Sequence, residues 1–244
     1  MRNSKIFSFG LLGWPLKHSL SPLIHTEFLR FFDLSGAYDL YPASPETLAN
    51  RITDSVNNGF RGLNVTFPYK KEIIKYCTKL DPIAQQAGAV NTLVIRGDSI
   101  EGFNTDIAGI KVLMQNLPTP YFVLGRGGAA ASIVAAFGKD NVVLLGRNTK
   151  FTELKNQRIA TIVNATPIGW NNNDIFPLEI PPDWNFVDLN YNSSWEWRNN
   201  LPDTVITGEA MLITQAAESF RLWTGFTPPD RLKNKILNII RKGK

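Results

Sequence analysis

The chain has 244 residues, of which 43% are hydrophobic and 19% charged, enough apolar side chains for one large or two small folded domains. Its net charge of +5 comes from basic residues dispersed along the sequence, except for a group between Arg231 and Lys244. That group alternates with Leu and Ile as on the solvated face of a terminal helix and lacks interleaved aromatic residues, which argues against nucleic-acid binding. One cysteine and two histidines exclude an intramolecular disulfide and leave no recognisable metal-ligand spacing.

Export and membrane insertion are not indicated either. The apolar stretch Phe7–Leu12 is short, is interrupted by Gly10 and is followed by no small-residue cleavage site. The sequence has no run of about 20 apolar residues, the length that spans a bilayer. A single cysteine favours a reducing compartment, so we expect a cytoplasmic protein.

The first part of the chain alternates between strand-like and helix-like segments. The predicted strands are Ile6–Leu12, Ala37–Tyr41 and Gly62–Val65, and the predicted helices are Pro22–Arg30 with Ser21 as its cap, Pro45–Asn58 and Lys70–Cys77. A hairpin follows from Val90 to Phe103, turning at Gly97-Asp98. Such alternation predicts an α/β unit whose sheet is mostly parallel.

A second α/β unit is predicted to begin beyond Asn104, after which a helix over Asp106–Leu117 links the two. Its predicted strands are Tyr121–Leu124, Val142–Leu145, Thr161–Asn164 and Phe186–Leu189, with a helix at Gly128–Phe137. Further on, apolar residues at helical spacing between Met211 and Trp223 precede Pro228-Pro229 and a last helix. The preferred division is 1–104 for the first domain and 105–225 for the second.

A glycine-rich loop follows the strand that ends at Leu124. Residues 125–130 read GRGGAA and fit the G-x-G-x-x-G/A pattern, in which glycines allow a tight turn and close approach to a pyrophosphate. The helix that begins near Gly128 would direct its unpaired amides at this anion. The loop therefore predicts a Rossmann-like dinucleotide site.

The next strand ends, about 20 residues after the first glycine, in a cationic segment where NAD sites carry an acid. This segment contains no carboxylate and has the four polar residues Arg147, Asn148, Thr149 and Lys150. A 2′-phosphate requires cations and hydroxyl donors, so the segment favours NADP over NAD.

Polar residues also cluster at strand ends in the first unit, in the segments 17–22, 62–70 and 88–92. The carboxyl ends of parallel strands share one edge of a sheet, so the side chains that we expect to converge there are Ser19, Ser21, Asn64, Thr66, Lys70 and Asn91. Asp106, at the start of the linking helix, follows the hairpin. Together these groups are suited to an oxygenated small-molecule ligand.

These segments together resemble the shikimate dehydrogenase family. The resemblance is carried by residues 13–22 (GWPLKHSLSP) with His25, 64–70 (NVTFPYK), 88–92 (GAVNT), 104–106 (NTD), 164–169 (NATPIG) and the pattern from Gly208 to Gly225. It covers nearly the whole chain and keeps one motif order. It implies a substrate domain, then a Rossmann-like NADP domain, with the last helices (226–244) packing back on the first domain.

The resemblance also implies roles for individual residues. Lys70 and Asp106 form the catalytic pair. The implied substrate contacts are Ser19, Ser21, Asn64, Thr66, Asn91, Tyr191 and Gln215. The implied cofactor contacts are Gly125, Arg126, Gly127, Gly128, Ala129, Arg147, Asn148, Thr149, Lys150, Thr166, Gly208 and Met211. The activity implied is reversible NADPH-dependent reduction of 3-dehydroshikimate to shikimate by a monomer or homodimer, without nucleic-acid or membrane partners.

The chemistry of a ketone reduction is consistent with Lys70 and Asp106 as the catalytic pair. Negative charge grows on the carbonyl oxygen as hydride arrives, so a donor must lie within hydrogen-bond reach and deliver a proton. A lysine held by a carboxylate can serve as the acid in reduction and as the base in oxidation. Lys70 is therefore the expected proton-transfer residue.

Two alternatives stay open. The segment Gly146-Arg147-Asn148 and the loop carrying Tyr191 depart from the family pattern. The first alternative is a quinate or dual quinate/shikimate dehydrogenase, which would share nearly all of the site residues named above. A non-catalytic NADP- or metabolite-binding regulator on the same scaffold is the third hypothesis. Retention of both Lys70 and Asp106 argues against a regulator, because a binding protein needs no proton-transfer pair.

Overall fold

The computed structural model describes residues 6–16, 19–146, 159–169, 174, 176–177, 180–191 and 205–243. The chain forms two compact units, one made of Met1–Ala108 and Leu212–Lys244 and the other of Gly109–Met211. Each unit has its own sheet. In the part of the chain that the structure describes, no helix has the length and apolar character needed to cross a membrane.

The first unit contains a six-stranded mixed sheet. Its strands are β1 (Phe7–Gly13), β2 (Gly36–Pro42), β3 (Gly62–Val65), β4 (Lys79–Leu80), β5 (Thr92–Arg96) and β6 (Ser99–Phe103), in the order β2-β1-β3-β5-β6-β4. Strand β1 pairs in parallel with β2 and β3, and β4 with β6, whereas β5 runs antiparallel to both of its neighbours. The predicted α/β class with a mostly parallel sheet and a closing hairpin is confirmed.

The helices of this unit differ from the prediction at three places. They are α1 (Ser21–Phe31), α2 (Leu48–Asn57), α3 (Pro82–Ala87) and a 3-10 helix at Glu72–Tyr76. Ser21 is not the cap of α1 but its first residue, because Leu20 already has helical backbone angles, and the amide of Ser21 donates to Ser19 Oγ at 3.1 Å. Neither β4 nor α3 was predicted.

The helix predicted over Lys70–Cys77 is wrong in type and length. An α-helix beginning at Lys70 would use the carbonyl of this residue within its first turn. That carbonyl instead accepts the amide of Val90 at 2.7 Å, which ties the segment to the residues before β5. The helical turns are therefore confined to the short 3-10 segment Glu72–Tyr76.

The second unit has a five-stranded, wholly parallel sheet. Its strands are β7 (Tyr121–Leu124), β8 (Val142–Leu145), β9 (Thr161–Asn164), β10 (Asn185–Asp188) and β11 (Val205–Thr207), in the order β11-β10-β9-β7-β8. The helix α5 (Gly128–Phe137) follows β7, and a 3-10 turn at Lys139–Asn141 leads into β8. This is the predicted Rossmann-like architecture with one further strand, β11.

Two helices cross from one unit to the other along the chain, α4 (Asp106–Met114) and α6 (Glu209–Thr224), and α7 (Asp230–Lys242) ends the described chain. Buried residues of α6 and α7, including Phe220, Trp223 and Ile236, share one core with β1 and α1 of the first unit. The boundaries between the units thus fall after residues 108 and 211 of the chain, whereas the sequence suggested boundaries after residues 104 and 225. The functional limits of the two domains stay a prediction.

Candidate active site

Lys70 and Asp106 form an ion pair in the first unit. Lys70 Nζ donates to Asp106 Oδ2 at 2.6 Å. The side chain of Asp106 is 5% exposed and that of Lys70 is 20% exposed, so the lysine is partly accessible while the carboxylate is buried. Asp106 is the first residue of α4, where the helix dipole stabilises a negative charge.

Asn91 holds the second oxygen of this carboxylate. Its Nδ2 donates to Asp106 Oδ1 at 2.8 Å, and its Oδ1 accepts the backbone amide of Thr105 at 2.7 Å. Its own backbone amide donates to the carbonyl of Phe103, at the end of β6. The carboxylate is therefore fixed at both oxygens before any ligand binds, which restricts where the Lys70 amine can lie.

Gln215 and Asn64 complete the predicted group. Gln215, on α6, accepts a hydrogen bond from Asn91 Nδ2 through its Oε1 at 3.3 Å and donates from Nε2 to the carbonyl of Leu212. Asn64, on β3, is 4% exposed, and its Nδ2 lies 3.3 Å from the carbonyl oxygen of Asn91. The structure brings together five of the predicted site residues, Lys70, Asp106, Asn91, Gln215 and Asn64.

Four further polar residues belong to this group, and the sequence prediction assigned no role to them. They are Tyr38, Thr92, Thr105 and Ser219, all buried and joined to the asparagines by hydrogen bonds. Ser219 follows Gln215 by one helical turn, a spacing that places both on one face of α6 and that would have indicated it. Tyr38 has no comparable signal, because a buried aromatic residue on a strand is ordinary core.

Ser19, Ser21 and Thr66 lie elsewhere in the first unit. Ser21 is buried at the start of α1, and the amide of Thr66 donates to the carbonyl of Leu12 at the end of β1. Among the described residues, no hydrogen bond joins these three side chains to the ion pair. Tyr191 is in the second unit, in the loop after β10.

The glycine loop of the second unit turns tightly and leaves space beside the start of α5. Gly125 has a φ of +121°, and a Cβ built on it would lie 2.8 Å from the carbonyl oxygen of Ala165. Gly127 caps α5 without a side-chain hydrogen bond, and a Cβ built there meets no atom within 4 Å. The loop leaves open space beside the amides that begin α5, where an anion can bind.

The other predicted cofactor residues are distributed around this unit. Thr166 lies beside Gly125 and accepts the amide of Ile168 through its Oγ1, which closes the turn after β9. Gly208 precedes α6, and Met211 is buried in the core with Ile110 and Met114. Arg126, two residues before α5, is exposed, and Ala129, the second residue of α5, is half-buried. Residues 147–150, which carry the prediction of NADP preference, and residues 17 and 18 lie outside the described residues.

His25 is wholly buried behind this polar group. Its ring stacks on Tyr38 with centroids 4.2 Å apart and an interplanar angle of 3°. Burial lowers the pKa of His25 to about 3, and the nearby Asn64 side chain opposes part of that decrease without making a well-formed hydrogen bond to either ring nitrogen. His25 is therefore neutral at physiological pH and serves as an aromatic packing partner.

Comparison with known proteins agrees with this arrangement. A profile of the shikimate dehydrogenase substrate binding domain matches residues 11–93, and one of the shikimate 5′-dehydrogenase C-terminal domain matches residues 208–232. Shikimate dehydrogenase (NADP⁺) of Dehalococcoides mccartyi (strain ATCC BAA-2266) is 33% identical over 93% of both chains. The enzyme of the same name from Methanocaldococcus jannaschii is 30% identical over 99% of this chain and 100% of its own.

A solved structure gives the same result. The crystal structure of shikimate 5-dehydrogenase from Thermus thermophilus, in complex with NADP(H) and shikimate, is 29% identical, covers 96% of this chain and 99% of that one, and has a TM-score of 0.83. The agreement in sequence and in fold extends over nearly all of both proteins. The chain therefore belongs to the shikimate dehydrogenase family.

Proposed function

We propose that this protein is an NADP-dependent shikimate dehydrogenase, which catalyses the reversible reduction of 3-dehydroshikimate to shikimate. The observation that carries the proposal is the ion pair between Lys70 and Asp106, 2.6 Å long and held by Asn91 at the opposite carboxylate oxygen. Family membership supports the same reaction, since curated relatives at 30–33% identity bear the name shikimate dehydrogenase (NADP⁺).

Lys70 is the proposed proton-transfer residue. In the direction of reduction its ammonium group gives a proton to the carbonyl oxygen, which becomes the ring hydroxyl, and in oxidation the neutral amine takes that proton back. Bound NADP(H) supplies or accepts the hydride at the ring carbon. Asp106 holds the amine in place, and Asn91 restrains its buried carboxylate by binding the other oxygen.

The amides around the pair are proposed to bind the ring hydroxyls. Asn64 is restricted in how it can do this. Its two Nδ2 protons are shared among Ser219 Oγ at 2.8 Å, Thr92 Oγ1 at 3.1 Å and the carbonyl oxygen of Asn91 at 3.3 Å, while Tyr38 donates to its Oδ1. The remaining lone pair can accept a substrate hydroxyl proton. Gln215 is proposed to bind a ring hydroxyl too, and Ser19, Ser21, Thr66 and Tyr191 complete the proposed substrate contacts, with the serines and Tyr191 on the ring carboxylate.

The cofactor is proposed to bind through the second unit. Gly125, Gly127 and the first residues of α5, Gly128 and Ala129, would hold the diphosphate, because the loop offers free amides and open space there. Arg126 and residues 147–150 supply the positive charge that favours the 2′-phosphate of NADP over the hydroxyl of NAD. Thr166, Gly208 and Met211 remain proposed contacts of the same cofactor.

The enzyme is further proposed to work in the cytoplasm as a monomer or homodimer. The single cysteine, Cys77, supports a reducing compartment, and burial raises the pKa of its thiol to about 11, so this thiol is mostly protonated at neutral pH. Light scattering on the purified protein distinguishes the two states. A higher oligomer would contradict the proposal.

A spectrophotometric assay of reduced nicotinamide tests the function directly. Shikimate and quinate are each combined with NADP and with NAD, and initial rates are measured for the four pairs. We expect the largest kcat/KM for shikimate with NADP. A preference for quinate would identify the related dehydrogenase instead, and no turnover with either acid, despite measurable NADP binding, would favour a regulator.

A further inference from the structure

The amide of Asn64 is held at both of its ends. Tyr38, on β2, donates from its hydroxyl to Asn64 Oδ1 at 2.9 Å. Ser219, on α6, lies 2.8 Å from Asn64 Nδ2, although 155 residues separate the two along the chain. All three side chains are buried, and a neutral hydrogen bond is stronger where water does not compete for its partners.

The hydroxyl of Ser219 favours one orientation of this amide. Its Oγ lies 3.0 Å from the carbonyl of Gln215, which can only accept, and 2.9 Å and 3.1 Å from the hydroxyls of Thr92 and Thr105, each of which can donate or accept. With its single proton donated to the Gln215 carbonyl, Ser219 accepts from Asn64 and requires the Nδ2 group there. In this arrangement a flipped amide would bring Asn64 Oδ1 against the lone pairs of Ser219, so Ser219 disfavours that orientation.

The same hydroxyl reaches toward the ion pair. Ser219 Oγ is 3.1 Å from Thr105 Oγ1, and Thr105 donates to Asn91 Oδ1 through its backbone amide at 2.7 Å. Asn91 in turn binds Asp106. Ser219 is thus linked to both asparagines, directly to Asn64 and through Thr105 to Asn91.

Tyr38 is itself held by aromatic packing. The neutral ring of His25 is stacked on it, and Trp223 lies 6.3 Å away between centroids. The indole of Trp223 donates to the carbonyl of Leu93 on β5, which ties this packing to the sheet. The hydroxyl of Tyr38 therefore has little freedom to leave Asn64.

We propose that Tyr38 and Ser219 are positioning residues for substrate binding, which hold the Asn64 amide in one orientation so that its Oδ1 can also accept a ring hydroxyl. This inference rests on the proposed function. Neither residue needs to touch the substrate. Their removal should weaken the binding of shikimate and leave the chemical step and NADP binding intact.

The test uses two substitutions that delete a hydroxyl, Tyr38→Phe and Ser219→Ala, in the full chain. Each has a matched control. Ser55→Ala removes an equally buried hydroxyl that donates only within its own helix, and Tyr121→Phe removes a buried phenol that donates to the carbonyl of Met114 in the second unit. Initial rates are measured against shikimate and against NADP, with thermal unfolding recorded for every variant.

We expect Tyr38→Phe and Ser219→Ala to raise KM for shikimate about threefold to tenfold, the effect of losing one neutral hydrogen bond, with kcat and KM for NADP within about twofold. The controls should leave all three constants within about twofold. A merely structural role would lower kcat with the folded fraction and leave KM for shikimate unchanged, and that result would overturn the inference.

A second measurement is independent of the reaction. The side-chain amide signals of Asn64 in ¹⁵N-labelled protein, assigned through bonds to its backbone, report the environment of both Nδ2 protons. We expect them to shift or broaden in Ser219→Ala and Tyr38→Phe and to stay unchanged in Ser55→Ala and Tyr121→Phe. Unchanged signals in the two test variants would overturn the inference even if the wild-type chain proved inactive with shikimate, whereas inactivity alone would overturn only the proposed function.

Discussion

At the scale of single residues, the candidate site places one half-buried amine against a fully held carboxylate. Asp106 accepts one hydrogen bond at each oxygen, from Lys70 and from Asn91, so both of its oxygens are already engaged within the protein. The neighbouring Lys71 is exposed. The two adjacent lysines thus have different environments. A comparison of their variants therefore distinguishes a role in the reaction from a general effect of charge.

Lys70→Ala should reduce kcat for shikimate oxidation by about 10²–10⁴, the usual effect of removing a general acid or base. NADP binding, measured by fluorescence titration, should change by less than about twofold. Lys71→Ala is the matched control and should retain nearly full activity. A decrease of less than tenfold in Lys70→Ala would mean that another group transfers the proton.

His25 should make stability depend on pH. The pKa of His25 is about 3 in the folded state and 6.5 in the reference state, so the unfolded chain binds the additional proton as pH falls below 6.5. Its contribution to stability is fully present above pH 6.5 and is lost progressively between pH 6.5 and 3. Between pH 7 and pH 5 this loss amounts to about 2 kcal/mol.

Urea unfolding at pH 7 and pH 5 tests this expectation. From pH 7 to pH 5, the decrease in the free energy of unfolding should be about 2 kcal/mol smaller for His25→Phe than for the wild-type chain. Since each protein is compared with itself, any change in packing caused by phenylalanine cancels. Equal decreases in the two proteins would show that His25 can be protonated in the folded state.

At the scale of elements, the loop between β7 and α5 contains one glycine with a positive φ and one glycine with open space around it. Gly125 needs its positive φ and has Ala165 close by, whereas Gly127 has an ordinary φ of −78° and unoccupied space around its Cα. A side chain at position 127 would thus meet a ligand before it met the protein. The turn requires Gly125, and we propose that the diphosphate requires Gly127.

Gly127→Ala should raise KM for NADP about tenfold or more, since the added methyl group occupies space that the diphosphate needs. The folded state should lose less than about 1 kcal/mol, because the Cβ has no clash and only the cap preference changes. KM for shikimate at saturating NADP should be unchanged. Gly138→Ala, at the opposite end of α5, is the control: a positive φ of 82° costs stability there without affecting NADP.

At the scale of the whole molecule, the chain returns to its first unit to complete the core. The buried residues Leu232, Ile236 and Ile240 of α7 and Phe220 of α6 pack with Phe28 of α1. The N-terminal segment alone lacks these side chains and would leave that face of its sheet exposed. The first unit therefore depends on the C-terminal helices.

Ile236→Ala should lower the free energy of unfolding by about 2–5 kcal/mol, the range for deleting a fully buried isoleucine side chain. Ile239→Ala on the same helix removes a side chain that is 38% exposed and should cost less than about 1 kcal/mol. Urea unfolding with a common m-value gives both quantities. Similar losses in the two variants would mean that α7 does not contribute to the core as described.

Much of this molecule can be predicted from local pattern. Alternation of apolar segments indicates the α/β class, and the glycine loop lies between its strand and helix as expected, because turn and helix-start preferences act within a few residues. The helix predicted at Lys70–Cys77 failed for a non-local reason, since Val90 takes the carbonyl of Lys70. Strands as short as β4 and β11 have too few residues for a periodic signal.

The sequence by itself therefore determined the fold class and the motifs of the family, and it predicted Lys70 and Asp106 as the reacting pair. Only the tertiary structure decided how these residues are supported. Asn91 is hydrogen bonded to Gln215, 124 residues away in the sequence, and Asn64 is hydrogen bonded to Ser219, 155 residues away. Side-chain hydrogen bonds act over about 3 Å, so they depend on where the backbone returns in space, and that path is set by the packing of α6 and α7 on the first unit.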